Sequence, residues 1–137
     1  MSGGAPVSRH PLGIVFRRRL AQSPPVVFAA FADPAVLPRW WAPPSCPIVE
    51  SSLDFRPGGV WLYRLDVPDS TSEVWSRAVF DEIETGRRIV FTETSADAAG
   101  GVTPERAPAR TAVDFAPDAG GTLLTAAVAA ALAALES

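Results

Sequence analysis

The chain has 137 residues, of which 47% are hydrophobic, and its formal net charge is −3 at pH 7. This size and composition predict a single domain whose core is large enough to fold without disulfides or a structural metal. The lone cysteine, Cys46, excludes an internal disulfide, and the negative net charge argues against a nucleic-acid partner. All twelve basic residues are arginine, so no lysine is present to form a Schiff base.

Residues 1–11 are predicted to be a flexible tail, and residues 12–137 to form the domain. The tail lacks the continuous apolar stretch of a secretory signal, and residues 119–135 are too weakly apolar to cross a bilayer. We therefore expect a cytoplasmic protein without a membrane segment. The only histidine, His10, lies in the tail, which argues against a rigidly held Ser-His or Cys-His pair. Without calcium-loop spacing or a Gly-rich phosphate loop, no metal and no cofactor are expected.

The N-terminal part of the domain predicts a strand and two short helices. Alternating apolar residues indicate a strand over residues 12–20. Within it, the three arginines at 17–19 alternate between faces, which favours a solvated edge over a phosphate site. A proline-led helix is predicted over residues 24–32, and a second short helix opens at Asp33 and runs toward Trp40.

Most of the remaining chain shows the alternation of β-strands. Strands are predicted at residues 48–55, 60–67, 73–83, 87–94, 110–116 and 122–128. The sequence Arg56-Pro57-Gly58-Gly59 predicts a tight turn in which a glycine has positive φ. Residues 95–108 predict one long loop within the domain.

The C-terminal segment allows two interpretations. A strand over residues 122–128 followed by an alanine-rich helix to Glu136 is preferred. However, Leu124, Val128, Leu132 and Leu135 also fall on one helical face, which would allow a helix from Thr122 onward. Either way the fold class is α+β.

Aromatic residues are the candidate functional side chains, because rings on successive elements can wall an apolar pocket. Ordinary core packing is the alternative explanation for each of them. Adjacent Trp40 and Trp41 cannot face one direction on a helix, so one should pack inward and the other toward a pocket mouth or a partner. The pocket candidates are Phe28, Trp40, Trp41, Trp61, Tyr63, Trp75, Phe80 and Phe91.

Three stretches carry a family resemblance: PPVVFAAFADPAVLPRWWAPP, LDFRPGGVWLYRL and VFDEIETGRRIVFTET. Together, over about residues 14–125, they resemble the homologues of the activator of the ninety-kilodalton heat-shock-protein ATPase. That family lies in the superfamily of START domains, polyketide cyclases and birch-pollen-type allergens. The resemblance implies a helix-grip fold, in which a curved antiparallel sheet with two short N-terminal helices encloses an apolar cavity against a C-terminal helix. It implies no common set of catalytic residues.

The resemblance also makes the C-terminal helix look short. Relatives usually carry a long amphipathic helix there, whereas about nine residues follow Val128. A large apolar face left in water would be costly, so either the segment from Thr122 is all helix or a second copy covers the sheet. A symmetric homodimer is favoured, with Leu124, Val128, Leu132 and Leu135 near the contact.

The leading functional hypothesis is binding of a small hydrophobic or aromatic ligand, lipids included, in the cavity between the sheet and the C-terminal helix. Nearby arginines would orient a polar end of that ligand. One alternative is a cyclase- or hydratase-type enzyme with an acid or base such as Tyr63, which requires a buried group of perturbed pKa. The other is a module that regulates the chaperone ATPase, which would use an exposed face. A binding protein is favoured over an enzyme.

Overall fold

The computed structural model describes residues 7–10, 13–42 and 44–130. Eight strands and two helices occur within them. In chain order these are β1 (Val7–His10), β2 (Gly13–Leu20), α1 (Pro24–Ala32), α2 (Leu37–Trp40), β3 (Ile48–Leu53), β4 (Val60–Leu65), β5 (Val74–Glu84), β6 (Arg88–Ala96), β7 (Ala109–Asp118) and β8 (Gly121–Ala130). In this described part of the chain, no helix has the length and apolar character needed to cross a membrane.

The strands form one curved, open antiparallel sheet in the order β1-β2-β8-β7-β6-β5-β4-β3. Consecutive strands from β3 to β8 pair as a meander, and β2 then pairs with β8. The two helices connect β2 to β3, which form opposite parts of the sheet, so the connection crosses one face. The predicted α+β class with a curved antiparallel sheet is confirmed.

Helix α1 spans the residues that the sequence predicted. Its prolines at the first positions need no intrahelical donor, and Val27, Phe28 and Phe31 form its buried face. The second helix begins later than predicted. Asp33 instead organises a turn, accepting the Ala35 amide at its side chain and the Leu37 amide at its carbonyl.

The core lies between α1 and one face of the sheet. Alternate residues on the central strands are buried there because successive side chains point to opposite faces. These are Trp61, Tyr63, Ala78, Phe80, Ile89, Phe91, Val113 and Phe115. Leu37 of α2 is also buried, so both helices contribute to the cover.

Both ends of the described chain are β-strands. The predicted flexible tail is corrected at Val7–His10, which pairs with β2 as an edge strand. An edge strand is held by backbone hydrogen bonds and needs no apolar pattern to mark it. Strand β8 confirms the preferred interpretation of residues 122–128 and excludes a helix from Thr122. The helix predicted to reach Glu136 lies outside the described residues beyond Ala130.

Strand β3 is the other edge of the sheet, and its register is irregular. Ile48 pairs with Leu65 and Glu50 with Arg64, so Val49 is an extra residue in the ladder. Val49 is exposed, and the Glu50 carboxylate lies 2.7 Å from Nε of Arg64. The edge therefore combines a bulge with an ion pair.

The turn before β4 requires both of its glycines. Gly58 has φ +80°, which confirms the predicted positive φ, and its amide donates to the Phe80 carbonyl at 2.7 Å. A Cβ at Gly59 would lie 2.1 Å from the Asp54 carbonyl oxygen, a distance that the backbone cannot accommodate without moving. One glycine supplies the conformation and the other the close approach.

We expect Gly58→Ala to lower the free energy of unfolding by about 1 kcal/mol, because a Cβ is disfavoured at positive φ. Gly59→Ala should cost more, since its Cβ meets backbone rather than open space. Gly58→Asn is the matched control, because asparagine tolerates this conformation better than alanine. Urea titrations of the three variants and the parent measure the order, and a Gly59→Ala protein as stable as the parent would contradict it.

Candidate functional site

The structure brings most of the predicted pocket aromatics into one cluster. Trp61, Tyr63, Phe80 and Phe91 lie buried on the concave face, and Phe28 covers them from α1. Trp41 is half-buried, with its ring centroid 5.6 Å from that of Trp61 and 5.5 Å from that of Phe91. Most contacts among these aromatic residues are edge-to-face, as in close-packed protein cores. The rings therefore pack against one another as part of the core.

One of the predicted pocket residues, Trp75, is not part of this cluster. Trp75 alternates with the buried Ser76 and lies on the opposite face of β5, where its indole Nε1 donates to Glu73 at 3.0 Å. Trp40 is the last residue of α2, and its side chain lies outside the part of the chain that the structure describes. Whether any of these aromatics touches a ligand stays a prediction.

An open groove of about 410 Å³ lies beside the aromatic cluster, between α1 and the adjoining strands β2 and β8. Most of its walls are aliphatic, and Phe31 joins it to the cluster through ring contacts with Phe115 and Trp41. The lining residues are Arg18, Leu20, Gln22, Val26, Val27, Ala30, Phe31 and Leu124. We call this feature the α1 groove.

The sequence did not predict the α1 groove, although the spacing of two of its lining residues on α1 indicated a shared helix face. Val26 and Ala30 are one helical turn apart, so they share a face of α1. Leu124, which is expected near a homodimer contact, forms part of the groove wall. Leu132 and Leu135 lie beyond the described residues, and the homodimer stays a prediction.

The arginine triplet alternates between faces as its strand position predicted. Arg18 pairs in register with Leu124 and shares the concave face with Leu20, whereas Arg17 and Arg19 point to the other face. Arg19 is bound to Asp118, with Nε 2.6 Å from the carboxylate. The triplet therefore places one guanidinium at the groove.

A polar cluster lies on the same concave face, at the part of the sheet formed by β4, β5 and β6. The Tyr63 hydroxyl donates a hydrogen bond to the carboxylate of Glu93. Ser76 lies directly across from Tyr63, and Arg106 from the β6–β7 loop donates to the Ser76 hydroxyl at 2.7 Å. The Arg106 amide also donates to the Ser95 hydroxyl at 3.2 Å, which fixes this loop against the sheet.

Burial dominates the electrostatics of this cluster. It raises the pKa of Glu93, while the Tyr63 hydrogen bond and the charge of Arg106 oppose the rise. Burial also raises the pKa of Tyr63, and the nearby Glu93 charge raises it further. Tyr63 is therefore a neutral donor, and Glu93 is a carboxyl group that holds its proton more tightly than in water.

No metal ligation is indicated for the described residues, among which no group of three or more His, Cys, Asp or Glu side chains comes together. The polar cluster contributes one carboxylate, from Glu93. Its neighbours are a phenol, hydroxyls and a guanidinium, which donate hydrogen bonds rather than complete a cation site.

Solved structures resemble this architecture over most of the chain. Protein Ms6760 from Mycobacterium smegmatis is 22% identical, with a TM-score of 0.81, covering 96% of this chain and 82% of its own. A protein from Arthrobacter aurescens is 24% identical, with a TM-score of 0.82 and coverages of 91% and 73%. Mll3558 from Rhizobium loti is 31% identical, with a TM-score of 0.67 and coverages of 92% and 80%. A search of curated proteins gives no significant match.

The curved sheet and its helices thus define a domain of the helix-grip class, as the resemblance implied. The family model described as activator of Hsp90 ATPase homolog 1-like protein matches residues 21–136. The chain belongs to that family.

The raised pKa of Glu93 predicts a pH dependence of stability. The folded state holds this proton more tightly than the unfolded chain does, so stability should be lost as pH rises above the ordinary value of 4.5. Glu93→Gln should remove that loss and still accept the Tyr63 hydrogen bond. Urea titrations across mildly acid to neutral pH measure the difference from the parent.

Glu84→Gln is the control, because it removes an exposed carboxylate from the end of the neighbouring strand. The difference in free energy of unfolding between Glu84→Gln and the parent should not increase with pH as it does for Glu93→Gln. Equal pH profiles for the parent and Glu93→Gln would contradict the assignment.

Proposed function

We propose that this protein binds a small apolar or aromatic molecule in the α1 groove. The observation that carries the proposal is the groove itself, which has about 410 Å³ of space and mainly apolar walls. Sites for small molecules usually span about 300 to 1,000 Å³ and combine apolar walls with few polar groups. One small ligand therefore fits the groove in both size and chemistry.

The walls of the groove are held by the core, which favours binding without a large rearrangement. Val27 and Phe31 are buried on the inner side of α1, and Leu20 and Leu124 pack against the core cluster. A preformed site costs less ordering entropy on binding than a site assembled by the ligand. Family membership agrees with the proposal, since helix-grip proteins of this superfamily commonly bind hydrophobic ligands.

This location differs from a cavity walled by the whole aromatic cluster. In the structure the rings of that cluster occupy the space between α1 and the central strands. Phe31 belongs to both features, so the cluster supports one wall of the groove. A bound ligand would then contact Phe31 and perturb the neighbouring Trp41 ring, 6.0 Å away between centroids.

Acid–base chemistry of the cyclase or hydratase type is a second candidate function. Buried Tyr63 and half-buried Glu93 supply a hydrogen-bonded pair with perturbed pKa values, which such an activity requires. A depression of about 240 Å³, lined in part by Trp75, Ser95 and Arg106, lies next to this cluster. The two candidates separate experimentally, because Glu93→Gln would abolish turnover and leave binding in the α1 groove intact.

The binding proposal predicts that N-phenyl-1-naphthylamine, a neutral apolar fluorophore, binds the native protein saturably. Ala30→Trp should weaken this binding at least tenfold, because the indole would occupy the groove that Ala30 lines. Ala29→Trp is the matched control, since Ala29 is an exposed neighbour on the same helix that does not line the groove. Fluorescence titration measures both affinities.

Thermal unfolding of each variant with and without the probe provides the check on folding. The parent and Ala29→Trp should be stabilised by the probe, as expected for a ligand that binds only the native state. Binding that appears only in partly denatured protein, or equal affinity in all three proteins, would refute the α1 groove as the site.

A further inference from the structure

The polar character of the α1 groove is confined to two of its lining residues. Arg18 and Gln22 are polar, and the other lining residues are aliphatic or aromatic. Among the described residues that line the groove, Arg18 is the sole charged one, and no carboxylate is present. A ligand that fills this groove thus meets apolar walls and one positive charge.

We propose that the ligand of the α1 groove is an apolar molecule with a carboxylate group, and that Arg18 binds this carboxylate. This inference rests on the proposed function and adds the chemical class of the ligand. A guanidinium matches a carboxylate with two parallel N–H donors, which gives orientation as well as affinity. The apolar body of the ligand would then lie along α1.

The register of the sheet directs Arg18 toward the groove. Arg18 is paired with Leu124 and lies two residues before Leu20 on the same strand face, and both leucines line the groove. The side chain is exposed, so the guanidinium can reach an anion at the groove rim. Its neighbour Arg17 points to the opposite face and pairs with Thr125.

The guanidinium of Arg18 is available for an anion. Within residues 7–10, 13–42 and 44–130, it forms no hydrogen bond or ion pair. Other arginines of the sheet are engaged, for example Arg88 with Asp114 at 3.0 Å and Arg64 with Glu50 at 2.7 Å. A cation without an internal partner beside an apolar wall is the complement of an amphipathic anion.

Gln22 can add a second donor at the same rim. The Thr122 hydroxyl donates to the backbone carbonyl of Gln22 at 2.7 Å, which holds the backbone of Gln22 next to the start of β8. Thr122 is fully buried, so the anchor is not in competition with water. Gln22 is among the residues that line the groove, and its side chain carries an amide N–H₂ that suits a carboxylate oxygen.

The competing explanation is that Arg18 serves only the fold by covering Leu124 with its methylene groups. In that case its charge is unimportant for binding, and a neutral ligand binds as well as an anionic one. A pair of ligands that share a chain and differ in the head group distinguishes the two explanations.

The experiment measures displacement of N-phenyl-1-naphthylamine by decanoic acid and by decan-1-ol at neutral pH. The parent should bind the acid more tightly than the alcohol. Arg18→Gln should weaken the affinity for the acid roughly fivefold to tenfold and leave the affinity for the alcohol unchanged, as expected for loss of one charge-assisted contact. Arg18→Lys should retain part of the preference for the acid, because the ammonium keeps the positive charge but lacks the two parallel N–H donors of the guanidinium.

Arg17→Gln is the matched control, since it removes the same charge from the adjacent residue on the other face. It should leave the acid preference intact. No preference for the acid in the parent, or an equal loss in Arg17→Gln and Arg18→Gln, would overturn the role of Arg18 while probe binding still supports the groove. If neither the probe nor the acid binds the parent, the proposed function fails as well.

Discussion

The pairing of β2 with β8 is the constraint on which the rest of the arrangement depends. Eight residue pairs, from Gly13 with Ala129 to Leu20 with Thr122, join segments about a hundred residues apart. Closing so long a loop is entropically costly. The unbroken ladder of β2 and β8 supplies the backbone hydrogen bonds that hold it closed. Because α1 starts four residues after β2 ends, this ladder also fixes where the helix lies. Without it, Arg18 and Leu124 would not share a surface.

The polar cluster shows a second constraint, the cost of placing an acid within an apolar face. Glu93 accepts a hydrogen bond from the Tyr63 hydroxyl, and the positive charge of Arg106 also offsets part of the cost of its burial. Removing either group would leave a half-buried carboxylate with less compensation for its desolvation. The cluster also specifies register, because a slip by one residue would move Tyr63 and Ser76 to the opposite face. Polar groups thus help to select one sheet arrangement.

The sequence indicated the parts of the fold that local chemistry controls. Prolines mark the start of α1, and Asp33 before Pro34 marks its end, so its bounds were predictable. Glycines marked the turn before β4. The α1 groove was not predictable, because its walls meet only through β2–β8 pairing. The sequence indicated Tyr63 as a possible acid or base but did not indicate Glu93. The face of the sheet on which Glu93 lies depends on strand register, and the nearby charge of Arg106 comes from the loop after its strand.

The bulge at Val49 has a consequence for how this molecule meets other extended chains. An open sheet exposes a row of unpaired amides and carbonyls along β3, which another strand could use as a template. The extra residue disrupts the regular spacing of that row, and the charged pair of Glu50 and Arg64 lies next to the break. Pro47 removes a further donor just before the strand. This edge is consequently a poor template for amyloid-like growth.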